Sequence, residues 1–277
     1  MNKRDIPIAA LKTIVMVPFA LLFILPLLWM ISSSLKMPLE VFRYPIEWIP
    51  SSFRWENYLT IFTDQAIPFT RLYYNSLFIA FFSLIGQLMF SSLAAYAFAK
   101  LNFKGKGLVF MCLLGTMMIP GEVTVIPKFI LFYTIGLYNN FWSIIIPGWY
   151  SVTAIFLFRQ FYRGLPADLF DAALVDGASH FRIWGRIVMP LTKPALISLS
   201  ILGFIGSWND YFTPMIFLVR RSLYTVSLGI QAYLLNEAQE YNLTMAASSA
   251  AVVPILLFFI IGQRYFVEGI ASTGIKG

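Results

Sequence analysis

Asp171-Ala172-Ala173-Leu174-Val175-Asp176-Gly177-Ala178-Ser179-His180-Phe181-Arg182-Ile183-Trp184-Gly185-Arg186-Ile187-Val188-Met189-Pro190-Leu191-Thr192-Lys193-Pro194 is the stretch on which the architecture turns. Upstream of it, Pro166 and Asp168 make a helix start, and Leu169, Phe170, Ala173, Leu174 and Ala178 recur at helical spacing. The pattern predicts a short amphipathic helix that breaks at Gly177. Paired alanines give a smooth face able to enter a groove closely, and glycine accepts a sharp turn that other residues resist. Pro190 and Pro194 then restart the chain into a second, apolar helix. A helix of this kind, in a chain with little other polar mass, needs a surface to pack on, and a partner protein is the expected one.

Outward from this segment the chain is dominated by apolar runs. Of its 277 residues 59% are hydrophobic and 12% charged, against about 25% charged in soluble domains, and the mean hydropathy is +0.75. These values exclude a soluble globular protein. Runs near the roughly 20 residues that cross a bilayer place six expected spans at 13–33, 74–98, 107–131, 138–160, 194–218 and 245–263, within one membrane domain covering 1–277. Thr13 to Ile31 is a full-length span with no small-x-small cleavage pattern after it, so it is expected to be retained.

Charge placement predicts the sidedness. With the N-terminus inside, cytoplasmic segments carry 13 of the 20 Lys and Arg and outer segments seven, which favours both termini in the cytoplasm. The net charge of +7 follows from this distribution and implies no nucleic acid. Outside, residues 34–73 are rich in aromatics and proline, suiting a segment at headgroup level. The outer stretch from Val219 to Leu243 carries Tyr224, Gln231, Tyr233, Asn236, Glu237, Gln239, Glu240 and Tyr241. Either a structural role or a hydrophilic partner accounts for it.

Catalytic and metal chemistry find no residues. One histidine, one cysteine and no His-Glu-x-x-His, Gly-x-Ser-x-Gly or paired intramembrane aspartates leave a membrane-embedded enzyme without a catalytic set. Gly105-Lys106-Gly107 lacks the spacing and trailing hydroxyl of a phosphate loop. Within or beside the spans the conspicuous polar groups are Gln87, Glu122, Asn139, Asn140, Asn209 and Asp210. Intramembrane ionisable groups are functional candidates by default. Either an ion pair with Lys128 or the end of the span at an outer kink set by Pro120 and Pro127 accounts for Glu122, and Trp208 and Tyr211 offer flat faces for a sugar ring.

The segment quoted first resembles the EAA loop of ABC-importer permeases: Glu-Ala-Ala, two residues, Asp-Gly-Ala, then a hydrophobic stretch ending Ile-x-x-Pro with a second proline four residues on. Asp171 stands for the family's glutamate and Trp184 for its usual phenylalanine. Ala94-Ala95-Tyr96-Ala97-Phe98-Ala99-Lys100, Met118-Ile119-Pro120, Gly136-Leu137, Phe156-Leu157-Phe158-Arg159-Gln160-Phe161, Trp208-Asn209-Asp210, and the tail Gln263 to Gly269 with Gly274-Ile275-Lys276-Gly277 look like the carbohydrate-uptake, maltose-permease-like branch.

That resemblance implies an all-α integral membrane fold of the type I importer permease, with six transmembrane helices and a cytoplasmic coupling helix in the loop 166–194. It implies a transport subunit and not an enzyme, in a bacterial or archaeal plasma membrane. The partners would be a second homologous permease, two ATPase subunits and an extracytoplasmic solute-binding protein, besides membrane lipid. The chain itself would bind no cofactor, ATP and Mg being used by the ATPases. Asp171, Ala172, Ala173, Asp176, Gly177, Ala178 and Pro190 would form the ATPase-coupling site. Trp208, Asn209, Asp210 and Tyr211 would border the substrate pathway. Asn236, Glu237, Gln239 and Glu240 would meet the binding protein, and Lys276 and Gly277 the ATPase interface. An oligosaccharide is the expected cargo. Glycerol phosphate within the family, and a secondary transporter with broken helices outside it, are the alternatives.

Overall fold

The computed structural model describes residues 5–65, 68–235 and 240–274, and every regular element among them is helical. In chain order these are α1 (Asp5–Ser34), α2 (Glu56–Thr63), α3 (Phe69–Lys100), α4 (Lys106–Gly115), α5 (Val125–Thr134), α6 (Trp142–Gly148), α7 (Val152–Arg163), α8 (Asp168–Val175), α9 (His180–Ile183), α10 (Met189–Leu191), α11 (Lys193–Asn209), α12 (Phe212–Phe217), α13 (Val226–Leu234) and α14 (Tyr241–Gly274). The chain divides into two compact units, residues 1–70 with 229–253, and residues 71–228 with 254–277.

Four stretches are long and apolar enough to cross a membrane: Lys12–Ser34, Phe69–Lys100, Trp142–Arg163 and Tyr241–Arg264. The expected spans at 107–131 and 194–218 are not straight helices. Lys106–Met118 and Gly121–Thr134 meet at 98°, because Pro120 drives Ile119 to extended backbone (φ −86°, ψ 115°) and withholds a helical donor. α11 stops at Asn209, Asp210 is extended, and its Oδ1 accepts the Thr213 amide at 3.0 Å to start α12. At its other end α11 meets the His180–Leu191 stretch at 82°. Six spans result when each bent pair is taken as one.

In the first unit, polar side chains knit the connection after α1. Asn57 Nδ2 donates to the Ser34 and Lys36 carbonyls at 2.8 and 2.9 Å, and Ser34 Oγ pairs with Tyr58 Oη at 2.7 Å. Tyr233 Oη donates to Asp64 Oδ2 at 3.2 Å, so Tyr233, 2% exposed, is structural. Trp29 meets Trp48 edge to face at 5.6 Å, while Tyr44 and Trp55 stay exposed, as an interfacial segment requires.

The second unit is built on close helix approach. A Cβ at Gly86 of α3 would sit 1.9 Å from the Trp149 ring, whose Nε1 donates to the Phe82 carbonyl at 3.1 Å. A Cβ at Gly203 of α11 would lie 2.8 Å from Leu84 Cδ1 and 2.9 Å from Gln87 Oε1. Tyr96, Phe98, Phe110, Phe158, Tyr162, Phe170, Ile183 and Val188 form one buried cluster that joins α3, α4 and α7 to α8 and α9. Between α9 and α10, Trp184–Val188 winds as a π-helix. Asn139 (φ 56°) accepts the Val219 and Arg220 amides on Oδ1 at 2.9 and 3.1 Å, and Asn140 Oδ1 accepts the Trp142 amide at 3.1 Å. Both asparagines therefore fasten loops.

Candidate functional site

The predicted amphipathic helix is α8. It ends as the sequence requires: Gly177 takes φ +76°, its amide bonds the Leu174 carbonyl at 3.0 Å, and the Ala178 amide bonds the Ala173 carbonyl at 2.9 Å. This pair of bonds is a Schellman closure, which satisfies carbonyls that the helix end would otherwise leave open. Ser179 Oγ then accepts the Arg182 amide at 3.4 Å and starts α9. No other group approaches within 4 Å of a Cβ placed on Gly177, so only its backbone demands glycine.

One face of α8 is buried and the other is bare. Phe170, 6% exposed, enters the core cluster. Asp171, Ala172, Leu174, Val175, Asp176 and Gly177 are exposed, Ala173 and Ala178 are half-buried, and Pro190 is exposed on α10. Val175 at 87% and Phe181 at 73% exposure are large apolar surfaces that none of the described residues covers.

Side chains tie α8 to the membrane helices. Lys100, the last residue of α3, donates from Nζ to the Leu165 carbonyl at 3.0 Å and sits 3.8 Å over the Phe170 ring. Tyr96 Oη and His180 Nδ1 are 3.1 Å apart. Arg159 of α7 donates from Nε to the Phe98 carbonyl at 3.2 Å with its guanidinium 4.0 Å over Phe110, and Lys106 donates to the Leu101 carbonyl at 2.7 Å. Three cations thus gather where α3 ends with open carbonyls, an arrangement the helix dipole favours.

A second feature lies among α3, α5, α6, α7 and α11: a cavity of 620 Å³. Gln87, Glu122, Lys128, Ser207 and Asp210 line it, together with Tyr150, Ser151 and Thr153. Three of the helix breaks, around Gly121, around Tyr150 and Ser151, and at Asp210, open on this space. Irregular backbone at membrane depth is tolerated where it borders such a cavity. Glu122 and Lys128 share the wall without forming an ion pair within 4.0 Å.

Of the four residues expected along the pathway, the structure brings only Asp210 to the cavity. Trp208 is 2% exposed, stacked on Phe204 at 5.6 Å and edge-on to Tyr73 at 5.4 Å, so core rings pack against it. Asn209 is exposed and Tyr211 half-buried, both off the cavity wall. Ser151, Thr153 and Ser207 escaped the sequence reading because isolated hydroxyls are common in apolar helices. The doublets Pro120-Gly121 and Pro147-Gly148 were the available signal for the breaks. Glu240, half-buried, accepts the Leu243 and Thr244 amides on its carbonyl at the start of α14. Asn236, Glu237, Gln239, Lys276 and Gly277 lie outside the described residues.

Comparison with known proteins gives these features a context. Residues 87–272 match the family described as binding-protein-dependent transport system inner membrane component. An arabinooligosaccharides transport system permease protein of Halalkalibacterium halodurans is 34% identical over 100% of both chains, and its namesake in Bacillus subtilis 33% identical over 96% of this chain and 95% of its own. An sn-glycerol-3-phosphate transport system permease protein of Pectobacterium atrosepticum is 33% identical over 84% of this chain and 85% of its own. A solved bacterial ABC transporter involved in the import of the acidic polysaccharide alginate has the same fold, with a TM-score of 0.83 over 96% of this chain and 99% of that one, at 23% identity.

Proposed function

Because the chain belongs to the family of inner-membrane components of binding-protein-dependent transport systems, we propose that it is the carbohydrate-translocating permease subunit of an ABC importer, with an oligosaccharide as cargo. The observation that carries the mechanistic part is α8, a capped amphipathic helix with one face in the core and the other uncovered. An ATPase subunit covers that face. Asp171 meets a cation in the ATPase groove, Ala172 and Ala173 allow close approach, and the turn at Gly177 sets the docking angle. ATP with Mg is bound and hydrolysed on the ATPase dimer, and this chain holds neither.

Closure of the ATPases moves α8, and the joint at Phe170, Lys100, Tyr96 and Arg159 passes that movement to α3 and α7. The cavity lined by Gln87, Glu122 and Asp210 is this subunit's part of the pathway, completed by a second, homologous permease. A solute-binding protein delivers cargo from the outer side, both termini lying in the cytoplasm. The broken helices are a feature that a secondary transporter also has; family membership and the uncovered α8 favour the importer.

Affinity purification of the chain from its native membrane in mild detergent tests this. A second permease and an ATPase are expected to co-purify, with hydrolysis stimulated by a sugar-loaded binding protein. A chain that purifies alone, without ATPase activity, would return the secondary transporter to first place.

A further inference from the structure

A cluster of like charges lies where Phe69–Lys100 and Trp142–Arg163 end and Lys106–Met118 begins, each of these apolar stretches carrying a cation at that end. Over residues 96–110 and 156–171 the chain places Lys100, Lys104, Lys106, Arg159 and Arg163 against only Asp168 and Asp171. Helix ends do not shift that balance, because each carboxyl end here is matched by an amino end: α3 by α4, α7 by α8, and α8 itself by α9. The Asp171 carboxylate acts on Lys100. Lys106 instead has Arg159 and Arg163 as its charged neighbours, Arg159 has Arg163, and no carboxylate acts on either.

A bias of basic residues to one side of a membrane does not explain why like charges are held together. Here backbone contacts hold them: Lys106 Nζ is fixed on the Leu101 carbonyl, and Arg159 Nε on that of Phe98. Lys104 and Arg163 are exposed and make no hydrogen bond or ion pair with any described residue. Directly along α4, Leu108, Val109 and Met111 leave large apolar surface exposed beside the cations.

We propose that Lys104, Lys106, Arg159 and Arg163 form a binding site for the headgroup of an anionic phospholipid, whose acyl chains lie along the exposed apolar face of α4. Guanidinium forks match phosphate oxygens in pairs, and the ammonium groups add point charge. Basic pockets between membrane helices take anionic headgroups in this way. The phosphodiester supplies the counter-charge that the chain lacks, and the aliphatic surface beside it selects a lipid over a soluble anion. The site requires only that the three apolar stretches cross a membrane, so it stands or falls apart from the cargo and from the importer reading.

The test uses the assembled complex with Cys112→Ser, which removes the exposed native thiol, and a bimane fluorophore on Val109→Cys, one turn from Lys106. Vesicles hold phosphatidylglycerol and phosphatidylcholine in equal amounts, with one or the other brominated high on its acyl chains, and quenching gives their relative association at the probe. Phosphatidylglycerol is expected to be favoured by about fivefold or more. Lys104→Gln with Arg163→Gln should bring the ratio near one, whereas Lys104→Arg with Arg163→Lys should preserve it. Lys12→Gln, at the end of another apolar stretch, should leave it unchanged. Equal quenching by the two lipids, a preference that survives the double neutralisation, or one that Lys12→Gln also removes overturns the proposal. A preference lost in excess inorganic phosphate at matched ionic strength overturns it in favour of a soluble anion. One that emerges only after the partner subunits are stripped away overturns it in favour of a protein docking face.

Discussion

Gly177 and Gly86 demand glycine for opposite reasons. Gly177 has open space around it and a left-handed backbone, so Gly177→Val imposes about 1–2 kcal/mol of local strain without a clash. Insertion and helix content should survive while transport is lost and ATP hydrolysis runs uncoupled, and Gly177→Asn should recover most uptake because asparagine tolerates this backbone. A fully active Gly177→Val chain would remove the turn from the mechanism. Gly86 has ordinary backbone and no room, with the Trp149 ring where a Cβ would go. Gly86→Ala should lower the stability of the purified chain by about 1–3 kcal/mol, whereas Gly107→Ala, with nothing within 4 Å, should leave the melting temperature unchanged. The first contrast was readable in the sequence, since Asp-Gly-Ala before a hydrophobic run signals a helix end. The second was not, because a glycine inside an apolar helix looks the same whether it faces lipid or an indole.

Among the elements, α8 was the most legible and the bent pairs the least. Glycine and proline punctuate α8 at both ends, but hydropathy continues through Val123, Val125 and Ile126 and says nothing about the direction the chain takes after Pro120. Trp208 was ambiguous for a related reason: an indole is equally suited to a core or a sugar, and only the rings of Phe204 and Tyr73 decide. The joint between α3 and α8 carries a prediction of its own. Lys100→Ala removes one carbonyl bond and one ring contact, the latter worth about 1 kcal/mol, so ATPase activity should persist with reduced transport; unchanged uptake would show that the joint does not need it. In the first unit, burial pushes the Tyr233 hydroxyl above the usual phenol range, and the Asp64 charge adds to the effect. A raised folded value means stability that is complete below the unfolded pKa of about 10 and lost as pH rises toward the folded value. Thermal midpoints should therefore fall from about pH 10 upward, and Tyr233→Phe should flatten that slope.

At the scale of the whole molecule, the distribution of Lys and Arg gives a sidedness that labelling can check. In intact cells an impermeant maleimide should react with Leu39→Cys and spare Asn102→Cys until the membrane is opened, both placed in a Cys112→Ser background; the reverse order would invert the topology. The π turn at Trp184–Val188 has a consequence for chain length. An α-helix advances about 100° per residue, and a π turn absorbs one residue more than the α-helix around it. Deleting Gly185, where an added Cβ would meet nothing within 4 Å, should return the segment to ordinary winding with α9 and α10 still in phase. Between α9 and α10 the chain works as a vernier: one residue can be gained or lost at the π turn while the helices on either side keep their phase.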